Sequence, residues 1–251
     1  MASGALIDTH CHINSLDIHL REELFTLGEK KFIFIDVSTD SYSARLSVTL
    51  SSQYSFIYSC LGFHPLGADS FKEEVINEFE ELSHQSKKVV GIGEIGLDYK
   101  SQASFETQAK VFKRFIELAK RLDLPIVVHN RWNSSSLFDI LDEYFSSYRK
   151  VIFHCFSQDR KVLEKILRKD GWVSFSLNIL RKKREIIEAL KAVPFENLLL
   201  ETDSPYMFIN GKKSHPLNIK DVYSFVAQLK EISLEELSQR VLANAKEAFR
   251  I

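Results

Sequence analysis

The chain has 251 residues, 45% of them apolar and 27% charged, with a formal net charge of −1. That balance excludes a disordered or low-complexity chain, and it excludes a global positive field that recruits polyanions, so any nucleic-acid binding has to come from local basic clusters. No apolar run approaches the roughly 18 residues of a membrane span, and Met1-Ala2-Ser3-Gly4 lacks the basic and apolar regions of a signal peptide. The expectation is a cytoplasmic, unanchored protein whose three cysteines, Cys11, Cys60 and Cys155, show no paired spacing and are free thiols.

Eight short apolar runs, partly β-branched or aromatic, begin near Ala5, Phe32, Phe56, Val89, Pro125, Val151, Trp172 and Leu198. Several do not alternate, such as Phe32-Ile33-Phe34-Ile35 and Pro125-Ile126-Val127-Val128, as expected of parallel strands covered on both faces. The segments between them are long enough for crossover helices. After the third run, Ser70 with Glu73 three residues on predicts a capped helix start. After the fourth, Phe105, Ala109, Phe112, Ile116 and Ala119 recur at helical steps, ending near Leu122. Near the C-terminus Ser233 and Glu236 form a second capping pattern, with Leu234, Leu237, Val241 and Ala245 on one face.

Eight βα units in about 250 residues predict an α/β fold, a (β/α)8 TIM barrel, with residues 1–251 as a single domain. An open doubly wound sheet is the runner-up, but the sequence carries no glycine-rich phosphate loop, and such a sheet concentrates its site at one switch point.

Residues with metal-ligating side chains stand just past the apolar runs: His10 and His12, Glu94, His129, His154 and Asp203. His10 and His12 are two apart on a strand and project to one side, with Cys11 facing the other. An isolated His-x-His is weak evidence, because polar strand ends carry histidines for ordinary hydrogen bonding. A barrel, however, gathers the ends of strands one, four, five, six and eight at one mouth. Six protein ligands exceed the roughly three of a catalytic zinc, so two divalent ions sharing a carboxylate, Glu94, fit the count. The mixed imidazole and carboxylate set does not choose among magnesium, manganese and zinc.

Asp8-Thr9-His10-Cys11-His12, Gly62-Phe63-His64-Pro65, Gly93-Glu94-Ile95-Gly96-Leu97-Asp98-Tyr99, Pro125-Ile126-Val127-Val128-His129, His154-Cys155-Phe156-Ser157 and Leu200-Glu201-Thr202-Asp203-Ser204-Pro205-Tyr206 follow one another along the chain. In that order, over nearly its whole length, the sequence resembles the TatD family of metal-dependent deoxyribonucleases, within the amidohydrolase-like barrel superfamily. The resemblance implies that His10, His12, Glu94 and Asp203 hold one ion and Glu94, His129 and His154 a second. It implies catalytic roles for Asp203, which orients a water and takes its proton, and for the bridging Glu94. It also implies hydrolysis of DNA phosphodiesters, on single strands or from a free 3′ end in the 3′-5′ direction, with no obligate protein partner. The residues alone support a metal hydrolase whose electrophile is phosphorus or carbonyl carbon. An amide or ester hydrolase on the same centre therefore stays open, and a non-catalytic scaffold is disfavoured by the complete ligand set.

On the substrate side, His64 resembles a family position facing substrate phosphate, the other reading being a bond to loop backbone. Arg131 is placed for a bidentate phosphate contact or for an ion pair with a loop carboxylate. Arg181-Lys182-Lys183-Arg184 and Lys212-Lys213 follow strands seven and eight. Cations near a helix start oppose its dipole, so helix stability does not explain the first run; Lys182 and Lys183 are its phosphate-gripping candidates. Glu201 points to the same side as Asp203 and, by the resemblance, supports the site by orienting a ligand histidine. Asp98 and Tyr99 either shape the loop after Glu94 or serve as turn former and core aromatic. Phe153, Phe156, Trp172 and Phe175 are expected in the core. Trp132 stands where the family commonly has Asp, and it either stacks on a base or plugs the pocket. Gln158 replaces the usual Gly, and residues 210–216 lack the family's Arg-Gly and Asn pattern; these departures bear on substrate specificity.

Overall fold

All eight apolar runs become strands within one residue of the predicted starts: β1 Leu6–Cys11, β2 Phe32–Val37, β3 Ile57–Leu61, β4 Val89–Asp98, β5 Ile126–Arg131, β6 Val151–Phe153, β7 Trp172–Phe175 and β8 Leu198–Leu200. The computed structural model describes residues 4–28, 31–132, 134–209 and 211–251. Every adjacent pair from β1–β2 to β7–β8 is parallel and in chain order, which gives a nearly closed barrel of the (β/α)8 type. The intervening helices are α1 Ile18–Gly28, α2 Ser41–Gln53, α3 Glu74–Gln85, α4 Phe105–Leu122, α5 Ser134–Tyr144, α6 Arg160–Leu167, α7 Arg184–Ala192 and α8 Ile219–Leu229, followed by α9 Leu234–Phe249. A small hairpin, β9 Phe208–Ile209 with β10 Lys212–Lys213, stands in the loop after β8. Asn210, part of one of the loop departures, lies outside the described residues. No helix among the described residues is long and apolar enough to cross a membrane.

The seam between β8 and β1 is closed largely by side chains. Asp8 accepts from the Thr202 backbone N–H at 3.0 Å and from the Thr202 hydroxyl at 2.6 Å, and the Thr9 hydroxyl donates to the Leu200 carbonyl at 3.1 Å. At the mouth the Asp203 N–H donates to the His10 carbonyl at 2.9 Å and the His12 N–H to the Ser204 carbonyl at 2.7 Å. Burial pushes the Asp8 carboxyl well above its ordinary range, which its bonds to Thr202 offset only in part. The seam therefore locks β1, with its two histidines, to the loop that carries Asp203.

The helix expectations hold unevenly. On α4, Phe112, Ile116 and Ala119 are buried, Phe105 and Ala109 half-buried, and the helix stops at Leu122 as predicted. The Ser233 hydroxyl caps α9 by accepting from the Glu236 N–H at 3.1 Å. Glu236 does not complete a capping box; its carboxylate pairs with Arg240 at 2.8 Å. Leu237, Val241 and Ala245 are buried, but Leu234, the first helical residue, is exposed. Ser70 is not a helix cap. Pro65 launches a 3-10 turn through Ser70, whose hydroxyl donates to the Gly67 carbonyl at 2.8 Å, and α3 begins at Glu74 without a side-chain cap. Phe153, Phe156, Trp172 and Phe175 are in the core.

Thr202→Val keeps the volume but removes one of the donors to a buried carboxyl. The expected cost is about 1–3 kcal/mol of unfolding free energy in urea titrations. A change within error would show that the seam does not depend on this contact.

Candidate metal centre

β1 ends with His10 and Cys11, and strand alternation separates them from each other. His10 and His12 face the barrel mouth with their Nε2 atoms 3.2 Å apart, while the Cys11 thiol donates to the Ile35 carbonyl in the core at 3.5 Å. His12 donates from Nδ1 to the Val37 carbonyl at 2.7 Å, which leaves a lone pair on Nε2. Two buried imidazole nitrogens at this separation require a proton or a cation between them.

β4 brings Glu94 into their midst, and the close approach depends on glycine. A Cβ on Gly62 of the β3 loop would lie 2.0 Å from the Glu94 nitrogen. Further along β4, Gly96 has φ +146°, and a Cβ there would meet the His129 carbonyl at 2.0 Å. Glu94 divides the histidines between its oxygens. Oε1 lies 2.6 Å from His129 Nδ1 and 2.7 Å from His154 Nε2, whereas Oε2 lies 3.5 Å from His10 Nε2 and 3.7 Å from His12 Nε2. Asp203, in the left-handed region at φ +55°, places Oδ1 3.5 Å from His12 Nε2. The donors of His10, His12 and Asp203 lie within 4.8 Å of one another, and so do those of Glu94, His129 and His154.

The electrostatics follow from this packing. Burial opposes ionisation of Glu94, yet the surrounding histidines, His154 and His64 foremost, hold its carboxyl well below the usual range. Burial likewise opposes but does not prevent a low Asp203, held down by His12 and by the charges of His154 and His10. His154 is pushed well up by Glu94 and Glu201 against its burial, while burial and the neighbouring His154 push His10 down. The His10 and His154 rings stack at 4.0 Å, which disfavours charge on both at once. The cluster is anionic at its carboxylates, and its donor groups are arranged as a set that could hold a metal ion.

Two further carboxylates orient the imidazoles. Asp98 is more than a turn former: its Oδ2 lies 2.9 Å from His129 Nε2 while Oδ1 accepts from the Lys100 N–H at 2.8 Å. That contact leaves His129 Nδ1 free to face Glu94. Asp98 and Glu94 are four apart on one strand, and this even spacing was the available signal that both face the mouth. Glu201 is fully buried, accepts from the Cys155 N–H at 2.7 Å and stands 3.4 Å from His154 Nδ1.

The loop-backbone reading of His64 holds at one nitrogen, and the other faces a carboxylate of the cluster. Nδ1 accepts from the Leu66 N–H at 3.1 Å and so caps the 3-10 turn, and Nε2 faces Glu94 at 3.4 Å. His64 lines a cavity of about 860 Å³ that opens over the cluster, together with Arg131, Arg181 and Lys183. Lys182, held in a left-handed conformation after Arg181, is not among the lining residues, and neither are Lys212 and Lys213. Arg184 is engaged in an i,i+4 pair with Glu188 at 2.7 Å, so helix pairing does account for part of that basic run. Trp132 packs half-buried against Phe105, ring centroids 5.8 Å apart, and is absent from the lining; Gln158 donates to the Asn130 carbonyl at 3.4 Å.

Residues 7–250 match the family model described as TatD related DNase. The chain belongs to this TatD family. It is 34% identical to the uncharacterized metal-dependent hydrolase YabD of Bacillus subtilis, over 98% of this chain and 99% of that protein. It is 30% identical to an uncharacterized metal-dependent hydrolase of Methanocaldococcus jannaschii, over 97% and 96%. Among solved structures, the Escherichia coli TatD homologue YjjV superposes with a TM-score of 0.91 at 25% identity, covering all of both chains. Family membership places the protein among metal-dependent hydrolases.

Ions that bind only the folded state stabilise it by mass action. Adding zinc or manganese to EDTA-treated protein at 100 times Kd is expected to stabilise it by about 2.7 kcal/mol, read as a rise in Tm. The rise shrinks in His12→Ala. A Tm indifferent to ions and to EDTA would overturn the reading of the cluster as a metal centre.

Proposed function

We propose that this TatD-family hydrolase cleaves DNA phosphodiesters, trimming single strands or free 3′ ends in the 3′-5′ direction. The observation that carries the reading is the way Glu94 divides its oxygens between His129 and His154 on one side and His10 and His12 on the other. His10, His12 and Asp203 are the proposed holders of one divalent ion, His129 and His154 of a second, with Glu94 shared. The fit rests on the Nε2 atoms of His10 and His12, which face each other at 3.2 Å beside the Glu94 and Asp203 carboxylates, and on a donor set that accepts magnesium, manganese or zinc. When bound, such ions lower the pKa of water and neutralise charge building on phosphate oxygens.

The chain's own residues have separable tasks in this scheme. Asp203, ionised and beside His12, takes the proton of the attacking water as its oxygen adds to phosphorus and the bond to the 3′-oxygen breaks; the 3′-oxygen leaves as a hydroxyl, its proton returned by Asp203 or drawn from solvent. Asp98 and Glu201 hold His129 and His154 in register. His64 Nε2, Arg131 and Lys183 face the cavity as phosphate contacts, and Lys182 supports them from outside it. Residues 1–251 act as one catalytic domain. A cytoplasmic setting accords with the free thiols of Cys11, Cys60 and Cys155.

The test is metal-reconstituted protein with 5′-labelled single-stranded DNA. A ladder that shortens from the 3′ end is expected, and Asp203→Asn should lower kcat by about 10²–10⁴. Protein that binds metal, leaves DNA intact and hydrolyses esters or amides would move the reading to a non-nucleic-acid substrate. Full activity in Asp203→Asn would remove the role given to that carboxylate.

A further inference from the structure

Six large apolar side chains among the described residues are more than half exposed: Ile18, Tyr42, Leu66, Tyr99, Tyr206 and Phe208. All six follow the C-terminal ends of barrel strands, after β1, β2, β3, β4 and β8. Apolar residues scattered over a surface need no explanation, but their gathering at one end of the barrel, with Leu66 and Tyr206 lining the cavity there, does.

Two of these rings are held in place from behind. Tyr99 lies under the Arg131 guanidinium, 5.7 Å from ring centroid to cation. Tyr206 sets its ring against that of His12 at 4.7 Å, and its hydroxyl is 3.2 Å from the Ser15 hydroxyl. Leu66 and Tyr206 line the same cavity as Arg131, Arg181 and Lys183. The mouth therefore offers flat apolar surfaces interleaved with cations. The matching ligand has an anionic backbone and apolar planar faces at regular intervals. A single strand with unpaired bases presents both, whereas a duplex hides its base faces and a peptide lacks the repeating charge. At about 860 Å³ the cavity stands near the top of the roughly 300–1,000 Å³ of small-ligand sites, leaving room for more than the scissile phosphate.

We propose that Leu66, Tyr99 and Tyr206 form a rim against which the bases of a strand pack while Arg131, Arg181 and Lys183 follow its phosphates, so that the strand is gripped over several nucleotides beyond the one that is cleaved. The proposal rests on the phosphodiesterase reading and adds which parts of the strand are held. Tyr206 lines the cavity, and Tyr99, exposed, stands beside it against Arg131, which does; half-buried Trp132 packs against Phe105 instead.

The experiment measures kcat/KM for oligothymidylates of two, four and eight nucleotides, beside bis(p-nitrophenyl) phosphate, for the metal-loaded parent, Tyr99→Phe, Tyr99→Ala, Leu66→Ala and Lys183→Ala. The parent should gain with length, and Tyr99→Ala should lose that gain by about tenfold, as expected for removal of one stacking ring, with the salt dependence of KM unchanged. Tyr99→Phe should retain the gain, and Lys183→Ala should flatten the salt dependence. Hydrolysis that is independent of length in the parent, or a length gain untouched by Tyr99→Ala and Leu66→Ala, overturns the rim while leaving the phosphodiesterase reading intact. Hydrolysis of the small diester with none of any oligonucleotide overturns both the rim and the DNA reading.

Discussion

A carboxylate with almost no access to water, ringed by imidazoles, is the constraint around which the barrel mouth is arranged. Removing an ion from water costs several kcal/mol even after relaxation, and the cost is offset only when partners are close and fixed. Glu94 meets that requirement through His10, His12, His64, His129 and His154, which come from β1, β3, β5 and β6 or the turns that follow them. No single strand provides enough partners. The parallel register of the barrel, the glycine at position 62 and the side-chain seam between β8 and β1 all act on the same few ångströms.

The partners are themselves positioned by groups that never face the cavity with their full polar complement. The Val37 carbonyl sets His12, Asp98 sets His129 and Glu201 stands beside His154. The rings of His12 and His129, so held, cannot turn without breaking a hydrogen bond, so the nitrogens that face Glu94 are fixed by the fold itself. Preorganisation of this kind separates the interior of the site, which is rigid and polar, from its rim, where side chains are exposed.

Strand alternation made the interior legible in the sequence. The even spacing of His10 and His12 placed them on one side, and apolar runs ending in His or Asp located the strand ends that the barrel unites. Other features depend on distances along no single element. The Asp98 to His129 contact crosses from β4 to β5, and spacing within one strand says nothing of a partner on the next. Likewise Lys182 and Lys183 are neighbours in sequence, but the left-handed backbone at Lys182 takes one away from the cavity lining while the other stays in it. Ser70 misled for a local reason: the Pro65 turn consumed it before α3 began.

Trp132 and Gln158 fall outside the ring of imidazoles around Glu94. Trp132 packs toward α4, and Gln158 bonds the backbone of Asn130, so neither adds or removes a group that touches Glu94. A large aromatic at position 132 instead ties the end of β5 to the start of α4, just beyond Arg131. Arg131 in turn lies over Tyr99, the residue that follows β4. Trp132 thus packs the end of β5 onto α4, one residue beyond the guanidinium that lies over Tyr99. That packing lies outside the imidazoles around Glu94, whose arrangement is set by the strands and turns of the barrel itself.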